Sequence, residues 1–139
     1  MTDLEKAENH LDTGSFTCVV CRGDERFTAT DRGVKPLLSW LDAGLELEGF
    51  SAADRVVGRA TAFLYCLLGV KAVYAKVMSR PAVQVLTAQA IEASAETYVD
   101  GIINRRGDGP CPFEAAVLEI SDPHEALAAI RKKMVEISR

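Results

Sequence analysis

The stretch that most restricts the fold runs from Ala52 to Leu68. There Val56, Ala60, Phe63, Leu64 and Leu67 make the chain apolar almost all the way round. The spacing predicts one long helix, opened by a Ser51-Ala52-Ala53-Asp54 capping box and closed by Gly69. A helix apolar on every side has to be buried. Gly58, Ala60, Thr61 and Ala62 keep one end slim, which admits close approach of backbone or ligand. In that helix Arg55 and Arg59 fall one turn apart on a shared face.

The flanking chain supplies the rest of the domain. Asp3 to Leu11 has helical spacing at Leu4, Ala7 and Leu11. Ser15 to Cys21 is rich in β-branched and aromatic residues, Arg22-Gly23-Asp24-Glu25 turns the chain, and Arg26 to Thr30 alternates. Together they predict a β-hairpin. Pro36 to Ala43 reads as a helix with Leu37, Leu38 and Leu41 on one face, and that apolar face suits a homodimer contact. Strands follow over Lys71 to Met78 and Glu96 to Ile103. They bracket a helix from Pro81 to Ala90 with Ser79 as its N-cap. Asp122-Pro123-His124-Glu125 starts an amphipathic terminal helix that ends near Ile137. A hairpin followed by alternating helices and strands predicts an α/β domain, a mixed sheet sandwiched between helices.

At 139 residues the chain suits one domain, residues 1–139, with room for a real core. A net charge of −4 argues against a nucleic-acid backbone as the main partner. The apolar run Ala60 to Val70 is too short for a bilayer and is followed by Lys71. The acidic start, Thr2-Asp3-Leu4-Glu5-Lys6, lacks signal-peptide features, so the expected location is cytoplasmic. The four cysteines are then expected reduced.

Local chemistry concentrates in Asn104-Arg105-Arg106-Gly107-Asp108-Gly109-Pro110-Cys111-Pro112-Phe113-Glu114. Its glycines and Pro110 predict a surface loop, and Pro112 to Ile120 reads as a short helix. Cys111 then sits at a helix N-terminus, with Glu114 in the first turn and Arg105 and Arg106 approaching from the loop. Two kinds of site follow: a reactive thiol, or a pocket for a phosphate or carboxylate. The bland alternative is a capped surface loop. Cys18-Val19-Val20-Cys21 lies in a predicted strand, where residues three apart face opposite ways, so it reads as core and not as a metal or dithiol pair. His10 and His124 stand near helix ends, and His124 is the nearer partner for Cys111.

Three stretches together resemble a known family: Gly33-Val34-Lys35-Pro36-Leu37, Asp54-Arg55-Val56-Val57-Gly58-Arg59-Ala60-Thr61-Ala62, and Asn104 to Glu114 with its Cys-Pro-Phe-Glu ending. They look like the small prokaryotic family registered as domain of unknown function eighteen-ninety-three, over roughly Ser15 to Ile120. The resemblance implies a cytidine-deaminase-like three-layer α/β/α sandwich and no particular activity. Zinc-dependent deaminases place a His or Cys in a His/Cys-x-Glu motif at one helix start and a Pro-Cys-x-x-Cys at the next. The corresponding starts here carry Val57-Gly58-Arg59 and Ser79-Arg80-Pro81-Ala82-Val83, without a ligand. Zinc-dependent deamination is therefore not expected, and no metal or cofactor is expected.

What remains is a cleft into which helix N-termini point. The expected pocket is lined by Asp54, Arg59, Asn104, Arg105, Cys111 and Glu114, with Lys35 at its edge. It would bind a nucleotide-like or other anionic small molecule. The opposing enzyme reading makes Cys111 a thiolate nucleophile or redox centre assisted by Glu114 or His124. A third reading is a structural or regulatory subunit without a ligand.

Overall fold

The computed structural model describes residues 1–104 and 106–138. Five strands form one mixed sheet in the order β2-β1-β3-β4-β5: β1 Cys18–Arg22, β2 Glu25–Ala29, β3 Ser51–Val57, β4 Ala72–Ser79 and β5 Glu92–Val99. The hairpin strand β1 is antiparallel to both neighbours, whereas β3, β4 and β5 run parallel. The helices are α1 Asp3–Thr13, α2 Lys35–Asp42, α3 Arg59–Leu68, α4 Arg80–Ala88, α5 Pro112–Ala116 and α6 Pro123–Ile137.

The layers follow from the period-two alternation of the strands. On one face Val19, Cys21 and Ala53 pack against Ala7 and Leu11 of α1. On the other, Cys18, Val20, Ala52, Val73 and Ala75 meet Phe63, Leu64 and Tyr65 of α3, Leu86 of α4 and Ile130 of α6. This is the α/β/α sandwich with a hairpin-begun mixed sheet that the sequence predicts. The two cysteines of the Cys-x-x-Cys pair fall in different clusters, as strand geometry requires.

The expected long helix over Ala52 to Leu68 is corrected. Its first part is the central strand β3, and the helix begins only at Arg59. Alanines are good helix formers, yet Ala52 and Ala53 are fully buried on opposite faces of the sheet. Their small side chains let helices approach the central strand from both sides, and that packing overrides local propensity. Ser51 and Asp54 are accordingly ladder residues, paired with Cys21 and Cys18 of β1, and cap nothing. Gly58, with extended backbone, is the actual N-cap. Arg55 and Arg59 therefore share no helical face. The Arg55 guanidinium reaches back to the carbonyl oxygens of Phe16 and Leu11.

The remaining boundaries shift less. Strand β5 begins four residues earlier than expected, with Ala93 and Ala95 packed on the core. Helix α5 stops at Ala116 instead of Ile120. Ser79 and Asp122 cap α4 and α6 as their sequences indicate, accepting from Ala82 N and Glu125 N. The apolar face of α2 faces inward: Leu37 and Leu38 are buried and Leu41 packs against the same core, so it is not a free surface for a second copy. Among the described residues no helix is long and apolar enough to cross a membrane.

Candidate functional site

Strand β3 ends where α3 begins, so the carboxyl end of the strand and the helix N-terminus open on one cleft of about 400 Å³. Asp54 and Thr61 line its interior, while Cys111, Phe113 and Glu114 form one wall. A second cavity of about 710 Å³ adjoins it, sharing Arg32, Gly33, Val34, Cys111 and Phe113. Lys35, Asn104 and Arg106 also line that second cavity.

Asp54 is only 8% exposed. Its Oδ2 accepts a hydrogen bond from the Tyr65 hydroxyl at 2.7 Å, and its Oδ1 lies 3.4 Å from Val56 N. The Cys18 thiol in turn lies 2.9 Å from the Tyr65 oxygen. Burial raises the Asp54 carboxyl from its ordinary 3.8 to about 6, against the lowering effect of the Tyr65 bond. Burial likewise pushes the Cys18 thiol and the Tyr65 phenol well above their ordinary ranges, with the neighbouring Asp54 charge adding to both. Both therefore keep their protons. Tyr65 donates to Asp54, which leaves Cys18 to donate to Tyr65, so the chain of hydrogen bonds runs one way and ends on the carboxylate.

Glu114 serves a helix other than its own. Its two carboxylate oxygens accept from Arg59 N at 2.6 Å and Ala60 N at 2.8 Å, closing the N-terminus of α3. The approach depends on Gly58. A Cβ there would stand 2.6 Å from the Glu114 Cδ and 2.8 Å from Ile102 Cγ1, and nearer still to Oε1. Arg59 completes a reciprocal clasp, its guanidinium donating to the carbonyl oxygens of Val117 and Ile120 and lying over the Phe63 ring.

The residues expected to share one pocket thus divide. Asp54, Cys111 and Glu114 meet in the first cleft, and Lys35 and Asn104 line the second. Arg59 contributes only its backbone N–H near the cleft, through the bond to Glu114. Its side chain lines a separate groove with Phe63 and Gln84, because the carbonyls of Val117 and Ile120 draw it there. Asn104 folds its amide back on the loop, accepting from Gly107 N and Asp108 N and donating to Asp108. Arg105 lies outside the described residues. Cys111 is the N-cap residue of α5, its own N–H bonded to Ile102 O, and it stands between the two cavities. His124 is exposed in the first turn of α6.

Arg32 and Tyr65 carry no residue-type signal of a site, and Thr61 is marked only as part of the slim helix end. Arg32 directly precedes the Gly33–Leu37 stretch, and Thr61 lies inside the Asp54–Ala62 stretch, so proximity to those stretches was the available signal. Nothing local marked Tyr65 as the partner of Asp54, since the pair depends on α3 folding back over β3.

The zinc that a deaminase-like fold implies does not fit these residues. The two helix starts present Gly58-Arg59-Ala60 and Ser79-Arg80-Pro81, and the first is already closed by Glu114. Among the described residues no three His, Cys, Asp or Glu side chains gather as a metal-holding group.

The fold is similar to that of a solved protein from Thermotoga maritima, a DUF1893 family protein (TM1506). The TM-score is 0.87 at 26% identity, over 96% of this chain and 91% of that one. A dCMP deaminase from the cyanophage S-TIM5, solved in apo form, gives a TM-score of 0.44 at 13% identity, over 66% of this chain and 92% of that one. Among curated proteins nothing matches. Residues 6–134 match the family described as "TM1506: Domain of unknown function (DUF1893)", and the chain belongs to that family.

Proposed function

We propose that this chain is a small-molecule binding domain for a nucleotide-like or other anionic ligand, seated across the two adjoining cavities. One observation carries the reading. On a chain of net charge −4, the second cavity is lined by Arg32, Lys35 and Arg106 and by no carboxylate among its described lining residues. None of the three is in an ion pair among the described residues. Three cations around a hollow that also includes Val34, Phe113, Met134 and the polar Asn104 suit a ligand with an apolar or planar body and an anionic group. The neighbouring cleft, with a buried polar floor, supplies the place for the body.

This departs from a simple helix-terminus anion site. The N-terminus of α3 holds the protein's own Glu114, so the anion's attraction comes from side-chain cations.

A thermal-shift series with inorganic phosphate and nucleoside monophosphates tests the reading. A bound ligand at about a hundred times its Kd stabilises by roughly 2.7 kcal/mol, enough to read as a clear rise in Tm. The rise is expected to shrink in Arg32→Ala and Lys35→Ala and at high salt. Absence of any shift across the series would sink the proposal. Because Cys111 stands between both cavities, Cys111→Ser belongs in the same series. Equal stabilisation makes the thiol incidental, and a lost shift brings forward the enzyme reading with Cys111 as the reacting group.

A further inference from the structure

We infer that the Asp54 cleft selects a planar head group presenting two adjacent N–H donors, as a 2-amino-substituted heterocycle or an amidine does. The inference rests on the binding reading above and names the chemistry of the ligand's buried end.

Cys18 and Tyr65 stand behind Asp54 as donors, a direction fixed while Asp54 is ionised and can only accept. Tyr65 occupies one lone pair of Oδ2, and the contact from Val56 N to Oδ1 is long at 3.4 Å. Each carboxylate oxygen can accept two bonds, so both retain capacity. The cleft is the direction left to them, since Asp54 lines it while being 8% exposed.

Thr61, 6% exposed, lines the same cleft from the first turn of α3, where its hydroxyl can donate to or accept from a ligand. A ligand that enters must satisfy both groups or leave them desolvated and unpaired. A carboxylate accepts and does not donate, so a head group facing it with carbonyl oxygens is rejected. One facing it with N–H groups is held on both oxygens.

The other charged or titratable groups lining the cleft do not supply this recognition. Arg55 donates to Phe16 and Leu11 carbonyls, Glu114 is bound to the α3 N–H groups, and Arg32 lies on the part shared with the second cavity. Cys111 lines the cleft from the start of α5.

Isothermal titration with guanosine 5′-monophosphate and inosine 5′-monophosphate provides the test. The two share sugar, phosphate and ring system, and the first adds an amino group beside the ring N–H. Wild type is expected to favour the guanosine compound by roughly tenfold or more, and Asp54→Asn is expected to erase the gap. The preference should also grow between about pH 5 and about pH 7, as the carboxyl ionises, and stay flat in Asp54→Asn. That pH profile separates recognition from a merely structural role. Equal binding of both nucleotides, or a preference that survives Asp54→Asn, overturns the inference and leaves the binding reading standing. Binding of neither nucleotide, together with no shift from inorganic phosphate, overturns both.

Discussion

Burial alters the chemistry of Asp54, and the alteration also acts on folding. In the unfolded chain its carboxyl ionises near 3.8, and in the native state burial moves that to about 6. Between those values the native state keeps a proton that the unfolded state has released. Stability therefore falls as pH rises through this window, the reverse of the usual salt-bridged carboxylate. The loss is on the order of 3 kcal/mol, borne in full above about pH 6. Asp54→Asn keeps an acceptor for the Tyr65 hydroxyl and carries no charge. Its stability relative to wild type is expected to climb from about pH 4 to about pH 7, as measured by urea unfolding at each pH. A constant difference between the two proteins would mean that Asp54 does not titrate in this range. The sequence could not show any of this: Asp54 reads locally as a cap, and its burial comes from β1, β4 and α3 closing around it.

At the scale of elements, the informative contact is the clasp between α5 and α3. Helix α5 has five residues and none of them is fully buried, although Phe113 packs against the core. Its place depends also on Glu114 reaching the N-terminus of α3 and on Arg59 reaching the carbonyls that follow α5. Gly58→Ala puts a methyl where the carboxylate lies and should cost about 1–3 kcal/mol. Glu114→Ala removes the cap and should cost about 0.5–2 kcal/mol. Because both act on one contact, the double variant should cost distinctly less than the two losses combined, the remaining penalty at Gly58 coming from Ile102. Additive losses in urea unfolding would show that Glu114 and Gly58 are not coupled. The same elements show why the fold was more legible than its details. Hairpin, helix caps and terminal helix carry their signals within a few residues, as Ser79 and Asp122 do. Strand β3 does not, because two alanines serve a central strand for reasons of packing on both faces. The clue passed over was Val56-Val57-Gly58, a β-branched pair followed by a breaker.

For the whole molecule, the two sides of the sheet are unequally secured. The face carrying α2, α3, α4 and α6 holds a large continuous core, whereas among the described residues the other is covered by α1, with Ala7 and Leu11 over Val19, Cys21 and Ala53 and Phe16 beside them. The candidate site belongs to the stronger side. It was legible as far as Asp54, Cys111 and Glu114 sharing a cleft, since they lie in the stretches that carry the family resemblance. The placing of the Arg59 side chain outside both cavities was not, because it depends on the carbonyls of Val117 and Ile120, which the sequence does not bring near it. The inequality of the two faces can be read through the cysteines, which happen to sample every layer. Cys111, lining both cavities, should react first with a thiol reagent near neutral pH. Cys66 is half-buried, and burial raises its thiol to about 11, so it should follow slowly. Cys21 and Cys18 are both buried, under the small and the large cluster respectively. If the α1 layer opens by itself, Cys21 becomes labelled under native conditions well before Cys18, which should wait for global unfolding. Mass-spectrometric mapping of labelled peptides over time gives the order. Simultaneous labelling of Cys18 and Cys21 would make the sandwich one cooperative unit, and the weak-layer argument would fail.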